Sequence, residues 1–199
     1  MWLQNLQNES ESNTKHQKDV TVNIHKTLPE ELRDRMVPSW FDHNLFPSHS
    51  NKLSLTEDKW KDRLSRTEFR ILISEGTELP YANEYHSTDT EGLYVCRGCS
   101  NPMFSSAAKF RSSSGWPSFF APISTDRIGV RSDKNLLMER TEVHCSRCGG
   151  HLGHVFDDGP EPTGLRYCLN SPALRLIDKE THQKIANGKE EELEFTLNR

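Results

Sequence analysis

Four of the five cysteines in this chain form two matched pairs, Cys96-Arg-Gly-Cys99 and Cys145-Ser-Arg-Cys148, and the fifth, Cys168, stands alone. Two Cys-x-x-Cys units can close a tetrahedral thiolate cage around one Zn²⁺, each unit spanning one edge. Four thiolates leave no open position, so such an ion is structural: it contributes folding energy and does not activate water. Gly98 inside the first pair and Gly149-Gly150 after the second allow tight turns that aim backbone N–H groups at sulfur. His144, beside Cys145, is a surplus donor and reads as an ordinary strand histidine. The competing reading is four buried or redox cysteines without metal. With no export signal in the sequence, metal ligands are the better account of paired cysteines.

Cys168 is then the thiol left for chemistry. It lies in Gly-Leu-Arg-Tyr-Cys-Leu-Asn-Ser, two residues after Arg166 and two before Asn170. In an extended strand residues two apart share a face, so one strand presents Arg, Cys and Asn together. Positive charge and hydrogen bonding favour the reactive thiolate. His151 and His154 lie upstream in His-Leu-Gly-His-Val-Phe-Asp-Asp-Gly and offer acid–base groups. Taken singly, each residue has a blander reading: a buried small cysteine, loop histidines, and a core tryptophan at Trp116. Their joint occurrence favours a reactive site.

Elements that could position these groups are legible along the chain. Its 199 residues hold one ordinary domain plus tails, and at 33% hydrophobic content part of the chain lies outside any core. A net charge of −4 gives no global attraction for nucleic acid or anionic membrane. No apolar stretch approaches the ~18 residues of a membrane span. The N-terminus has neither a basic-then-apolar signal nor an Arg-rich presequence, so the cytoplasm is the expected location. Residues 1–52 read as a partly ordered polar extension, with a helix start at Thr27-Leu-Pro-Glu30 and an aromatic group (Trp40, Phe41, Leu45, Phe46) able to dock on a neighbouring surface. Capping boxes at Ser54–Glu57 and Ser65–Glu68 predict two short amphipathic helices over 58–64 and 69–74, the second ended by Gly76. From Leu93 the texture changes to short β-prone runs, at 92–95, 103–104, 115–120, 128–130, 135–144, 155–156, 166–169 and 173–177, cut by Gly, Pro, Ser and Asp. The domain, residues 53–178, is therefore expected to be mainly β. Residues 179–199 read as a charged terminal strand or helix.

Three motifs in order carry a resemblance to a known family. Gly115-Trp-Pro-Ser-Phe119, the run from Cys145 through Gly-Gly-His-Leu-Gly-His-Val-Phe156 to Pro160, and Arg166-Tyr-Cys-Leu-Asn-Ser171 closely resemble methionine-(R)-sulfoxide reductases of type B. The likeness runs from about Thr56 to Ile177 and leaves the outer tails uncovered. It implies two small antiparallel sheets (a β-tent) with short N-terminal helices and one structural zinc. Cys168 would attack the sulfur of an oxidised methionine and become a sulfenic acid. His154, with His151 beside it, would protonate the sulfoxide oxygen as an imidazolium, and Asp158, Arg166 and Asn170 would support the sulfoxide through polar contacts. Trp116 would stack on the S-methyl group, with Phe119 of the same motif as a second substrate contact.

Many relatives carry a resolving cysteine where this chain has Ser114. An external thiol, such as thioredoxin or glutaredoxin with glutathione, is therefore expected to close the cycle. The expected partners are oxidised proteins or peptides and that reductant, with no nucleic acid or membrane, and a monomeric chain. Preference for the R epimer rests on the resemblance alone. Two other functions fit the bare residues: a non-catalytic zinc-knuckle module that binds protein, which does not need Cys168, and a cysteine hydrolase, for which no oxyanion-hole signature appears.

Overall fold

The computed structural model describes residues 22–24, 28–135 and 138–188. Thr27 and residues 1–21 and 189–199, on which part of the tail expectations fell, lie outside them. The order of elements is α1 (Glu30–Arg33), α2 (Glu57–Arg63), α3 (Arg66–Leu72), β1 (Leu93–Cys96), β2 (Pro102–Ser105), β3 (Lys109–Phe110), β4 (Ser118–Phe119), β5 (Ile128–Asn135), β6 (Met138–Cys145), β7 (His151–Phe156), β8 (Arg166–Leu169), β9 (Leu174–Ile177) and α4 (Lys179–Ala186). The strands form a three-stranded sheet, β2-β1-β9, and a six-stranded sheet, β3-β4-β8-β7-β6-β5. Every pairing between these strands is antiparallel. This is the mainly β, two-sheet architecture expected.

The two sheets meet over an aromatic core. Tyr94 of β1 packs edge-on against Phe119 of β4, and Phe104 of β2 packs against both Phe119 and Tyr167 of β8. All four residues of β1 are buried, which alternation explains only if both faces are covered. Tyr94 and Cys96 face the main core, while Leu93 and Val95 join Phe41, Phe46 and Ile177 in a second cluster. The aromatic group of the extension is thus the outer cover of the small sheet. His182 of α4 completes it, accepting a hydrogen bond at Nε2 from the Asp42 N–H at 2.8 Å and packing among Trp40, Phe41 and Phe46.

The helix signals fare unequally. Ser65 caps α3 with the full reciprocal box, its hydroxyl accepting from the Glu68 N–H while the Glu68 carboxylate accepts from the Ser65 N–H. The expected box at Ser54 does not form: α2 starts at Glu57 with Thr56 at the cap and no side-chain bond. The backbone after α3 turns through Glu75, at φ 54°, and not through Gly76. β5 extends far beyond the predicted 128–130, and β3 is a strand the sequence did not announce.

One irregularity sets the geometry of the large sheet. Along β6 and β7, Val143 faces Gly153 and the next residue, His144, faces His151, so Leu152 is an extra residue bulged out of β7. His151 and His154 are three positions apart, which in a regular strand sends them to opposite faces. The bulge returns both to one face, with ring centroids 5.5 Å apart. Gly153 (φ +155°) lets β8 come close: a Cβ there would sit 2.1 Å from the Cys168 carbonyl oxygen. Gly153→Ala is therefore expected to cost about 3 kcal/mol of stability or push β8 off register. Chemical denaturation of the variant checks this, and an unchanged transition would contradict it.

Candidate active site and cysteine cluster

Strand register builds the site. Ser118 of β4 lies opposite Cys168 of β8, Cys168 opposite His154 of β7, His154 opposite Glu142 of β6, and Glu142 opposite Arg131 of β5. Residues directly opposite share a face, so a row of polar side chains crosses five strands. Two residues along from this row, Asp133 faces Arg140, and Arg166 shares the Cys168 face of β8. Of the expected residues, Cys168, His154, His151 and Arg166 are thus brought together. Glu142, Asp133, Arg131 and Ser118 join them without having been singled out in the sequence. Only alternate spacing along 128–145 hinted at them, since charged residues on a strand otherwise read as solvent-facing.

Each histidine has its own carboxylate. His154 Nε2 lies 2.8 Å from Asp133 Oδ2, and Asp133 is also bound by Arg140 at 2.7 Å. His151 Nδ1 lies 2.9 Å from Glu142 Oε1. Glu142 is buried and is gripped by Arg131 through two further bonds, while Arg131 also reaches Glu75. Burial works to raise the Glu142 pKa, but the bonds from His151 and Arg131 outweigh it and hold the carboxylate ionised. The His154 bond, with Arg140 behind it, depresses Asp133. Asp158 forms a two-pronged pair with Arg166, Nε to Oδ1 and Nη2 to Oδ2 at 2.8 Å each, and is depressed by it. The Arg166 guanidinium also lies over the Phe156 ring, 4.4 Å from its centroid.

Burial sets the resting protonation of the two central groups. It raises the Cys168 thiol above its ordinary value, against the opposing pull of the Ser114 hydroxyl and Arg166. It lowers His154, against the opposing pull of Asp133. Near neutral pH the pair rests as thiol and neutral imidazole, where the sequence suggested an imidazolium. With Asp133 ionised, His154 Nε2 carries the proton toward it and Nδ1 is the free acceptor.

Two expected contacts, Phe119 and Asn170, are placed otherwise, while Trp116 keeps a face available. Phe119 is fully buried, its ring locked between Tyr94 and Phe104, so it shapes the core behind the site and cannot touch a substrate. Asn170 lies past the end of β8. Its side chain is committed to backbone, accepting from the Glu78 N–H at 3.1 Å and donating to the Leu152 carbonyl at 3.1 Å, so it ties the 77–80 loop to the β7 bulge. Trp116 is half-buried, its indole N–H donating to the Glu78 carbonyl at 3.3 Å, which leaves part of the ring as a wall.

The other four cysteines gather into one cluster. Their sulfurs all lie within 4.8 Å of one another, with Cys99–Cys145 at 3.5 Å and Cys96–Cys148 at 3.7 Å. A tetrahedron of sulfurs around zinc at ~2.3 Å has edges of about 3.8 Å, close to the separations seen. None of the cysteines forms a disulfide. The two knuckles match bond for bond: the Ser100 N–H returns to the Cys96 carbonyl and the Gly149 N–H to the Cys145 carbonyl, both at 2.8 Å. Ser100 (φ 57°) and Gly149 (φ 75°) take the same left-handed turn, so the partner of Gly149 is Ser100 and not Gly98. His144 is outside the cluster and lies over Gly129. Because Cys96 ends β1 and Cys145 ends β6, the cluster ties the small sheet to the large one.

Residues 64–178 match the family described as the SelR domain. The chain belongs to that family. Relatives include the peptide methionine sulfoxide reductase MsrB of Methanosarcina mazei, 45% identical over 142 residues, which are 71% of this chain and 98% of the relative. The enzyme of the same name from Saccharophagus degradans is 51% identical over 120 residues, 60% of this chain and 90% of the relative. That of Pseudomonas aeruginosa is 45% identical over 131 residues, 66% and 99%.

The paired carboxylate makes a pH prediction. As pH falls, the unfolded chain takes up a proton on this histidine near its ordinary value of about 6.5, while the folded chain does so only at lower pH. Protonation of His154 therefore erodes stability as pH drops through that window. NMR titration should place His154 below the ordinary histidine value, and Asp133→Asn should lower it further, because the carboxylate opposes the burial effect. A value above the ordinary one, or a rise in Asp133→Asn, contradicts the assignment.

Proposed function

We infer that this protein is an oxidoreductase that returns methionine sulfoxide in oxidised proteins and peptides to methionine, as the names of its relatives state for them. The observation that carries the reading is a solitary thiol, Cys168, lying opposite His154 in the strand pairing, apart from the four-cysteine cluster. Cys168 is the nucleophile in this reading. Its sulfur attacks the sulfoxide sulfur, and the thiol proton passes by way of His154 Nδ1 to the sulfoxide oxygen. The net step is Cys–SH plus sulfoxide giving Cys–SOH plus thioether, which balances in atoms and electrons. Asp133 holds the His154 tautomer, His151 with Glu142 backs it, and the Arg166 guanidinium, positioned by Asp158, places a donor and positive charge near the sulfur. Trp116 is the apolar wall for the S-methyl group. Preference for the R epimer follows the family resemblance, and comparison of the two epimers tests it.

The cycle is closed from outside the chain. The hydroxyl of Ser114 lies 3.7 Å from Cys168 Sγ, where a resolving thiol would have to stand, and a serine cannot form a disulfide. Two external thiols, or one dithiol such as thioredoxin, then convert the sulfenic acid to thiol and water while forming their own disulfide. The four-cysteine cluster suits one structural zinc, held by Cys96, Cys99, Cys145 and Cys148, which supplies cross-linking and no chemistry at Cys168. A reduced cluster and a working thiol suit a thiol-reducing compartment such as the cytoplasm. Among the described residues no helix is long and apolar enough to cross a membrane. The catalytic unit is taken as residues 53–178, acting as a monomer.

Replacing Cys168 by Ser should lower turnover of a methionine (R)-sulfoxide peptide with dithiothreitol by at least about a thousandfold and leave metal content unchanged. Retained turnover would sink the assignment. A function that survives in that variant points to a zinc-knuckle binding module instead. Purified protein should hold one zinc per chain, and stripping it with a strong chelator should abolish the cooperative melt, since structural zinc carries about 10–16 kcal/mol in small domains. Metal analysis alongside the melt checks this, and a melt unchanged in metal-free protein contradicts it.

A further inference from the structure

Three serine hydroxyls next to Cys168 form a continuous chain. Cys168 Sγ lies 3.7 Å from Ser114 Oγ, Ser114 Oγ lies 2.7 Å from Ser112 Oγ, and Ser112 Oγ lies 2.7 Å from Ser118 Oγ. Ser118 Oγ in turn donates to the Trp116 carbonyl at 3.2 Å. The turn carrying them is pinned from outside: the Tyr81 hydroxyl donates to the Ser113 carbonyl, and the Tyr81 N–H and Asn83 side chain both donate to the Gly115 carbonyl at 2.7 Å. Gly115 (φ +88°) has no room for a Cβ against Pro80 and Tyr81, so the turn cannot drift from Cys168 without losing these contacts.

Each hydroxyl donates one proton and accepts others. With Cys168 a thiol, every donor can point the same way, from S–H through Ser114, Ser112 and Ser118 to the Trp116 carbonyl. With Cys168 a thiolate, rotation of three O–H bonds reverses the chain, so that Ser118 donates to Ser112, Ser112 to Ser114, and Ser114 to sulfur. No heavy atom moves, and the only bond given up is the long one to Trp116. Hydrogen bonds to an ionised acceptor are the stronger kind, so reversal favours the thiolate that burial disfavours.

We propose that Ser112, Ser114 and Ser118 form a reversible hydroxyl relay that stabilises the Cys168 thiolate, with Ser112 as a positioning residue acting through Ser114. The proposal rests on Cys168 being the working thiol but not on which sulfoxide it reduces. The other polar groups facing Cys168 have fixed donor directions: Arg166 is paired with Asp158 and donates only, the His154 N–H points at Asp133, which Arg140 also holds, and His151 is bonded to Glu142, which Arg131 also holds. Glu78 of the neighbouring loop accepts from the Ser171 N–H. The hydroxyls are the groups near the sulfur whose donor direction is free to reverse.

The test is the pH dependence of iodoacetamide alkylation at Cys168 in the zinc-loaded full chain, followed by peptide mass spectrometry. This readout needs no sulfoxide, so it separates failure of the relay from failure of the reductase reading. Below the thiol midpoint, Ser114→Ala should slow alkylation about tenfold and Ser112→Ala about threefold, with the limiting rate at high pH unchanged. The double variant should match Ser114→Ala alone, because the serine chain hydrogen-bonds to the sulfur through Ser114. Ser112→Thr, which keeps the hydroxyl, should restore the wild-type midpoint. A wild-type midpoint in Ser112→Ala, additive effects in the double variant, or a Ser112→Thr midpoint no better than that of Ser112→Ala overturns the relay.

Discussion

The register between β7 and β8 is the constraint on which the rest of the site depends. Cys168 faces His154 only because the backbone of β8 lies against a residue with no side chain at Gly153, and His151 shares that face only because Leu152 is bulged out of the ladder. A slip of one residue would turn every side chain of β8 to the opposite face and bury Arg166 where Tyr167 now packs. The core guards against that slip. Tyr167 and Leu169 are buried at alternate positions, and Phe119 and Phe104 fill the space they face. Packing on one face of the sheet thus fixes chemistry on the other.

The sulfurs divide the work of holding and reacting. Four of them close a cluster whose separations match a tetrahedral thiolate site and whose knuckles repeat the same turn, so two sheets of few strands are tied at one end. The remaining thiol is set among a histidine, an arginine–aspartate pair and a serine turn. Burial keeps it protonated at rest, and that proton is what a sulfoxide oxygen needs in order to leave. A permanently ionised thiolate would be the better nucleophile but would arrive without its proton. The resting thiol and neutral imidazole together hold one mobile proton beside the reacting atoms.

Much of this was legible in the sequence. Residue type and spacing alone separate Cys168 from the paired cysteines, the strand 166–169 matches its predicted limits, and the Ser65–Glu68 capping box forms as written. These are local signals, carried by a few neighbouring residues. What stayed hidden is what only pairing reveals. Glu142, Asp133 and Arg131 look like solvent-facing charges until β5 and β6 are laid beside β7, and the bulge at Leu152 leaves no mark in composition. Phe119 sits inside a motif that otherwise carries site residues, yet its neighbours are core aromatics. Asn170 keeps the right spacing from Cys168 but falls just past the strand, where its amide serves the backbone. Phe41 and Phe46 were visible as an aromatic group, while their partner, the outer face of β1, was not.

Single-turnover reaction of the reduced, zinc-loaded protein with one equivalent of a methionine (R)-sulfoxide peptide, with no reductant present, tests the division of labour most directly. Peptide mass spectrometry should find one added oxygen on Cys168, trapped by a sulfenic-acid reagent, with a matching yield of methionine peptide and the four clustered cysteines unchanged. An internal disulfide involving Cys168, or methionine formed while Cys168 remains an unmodified thiol, would contradict it.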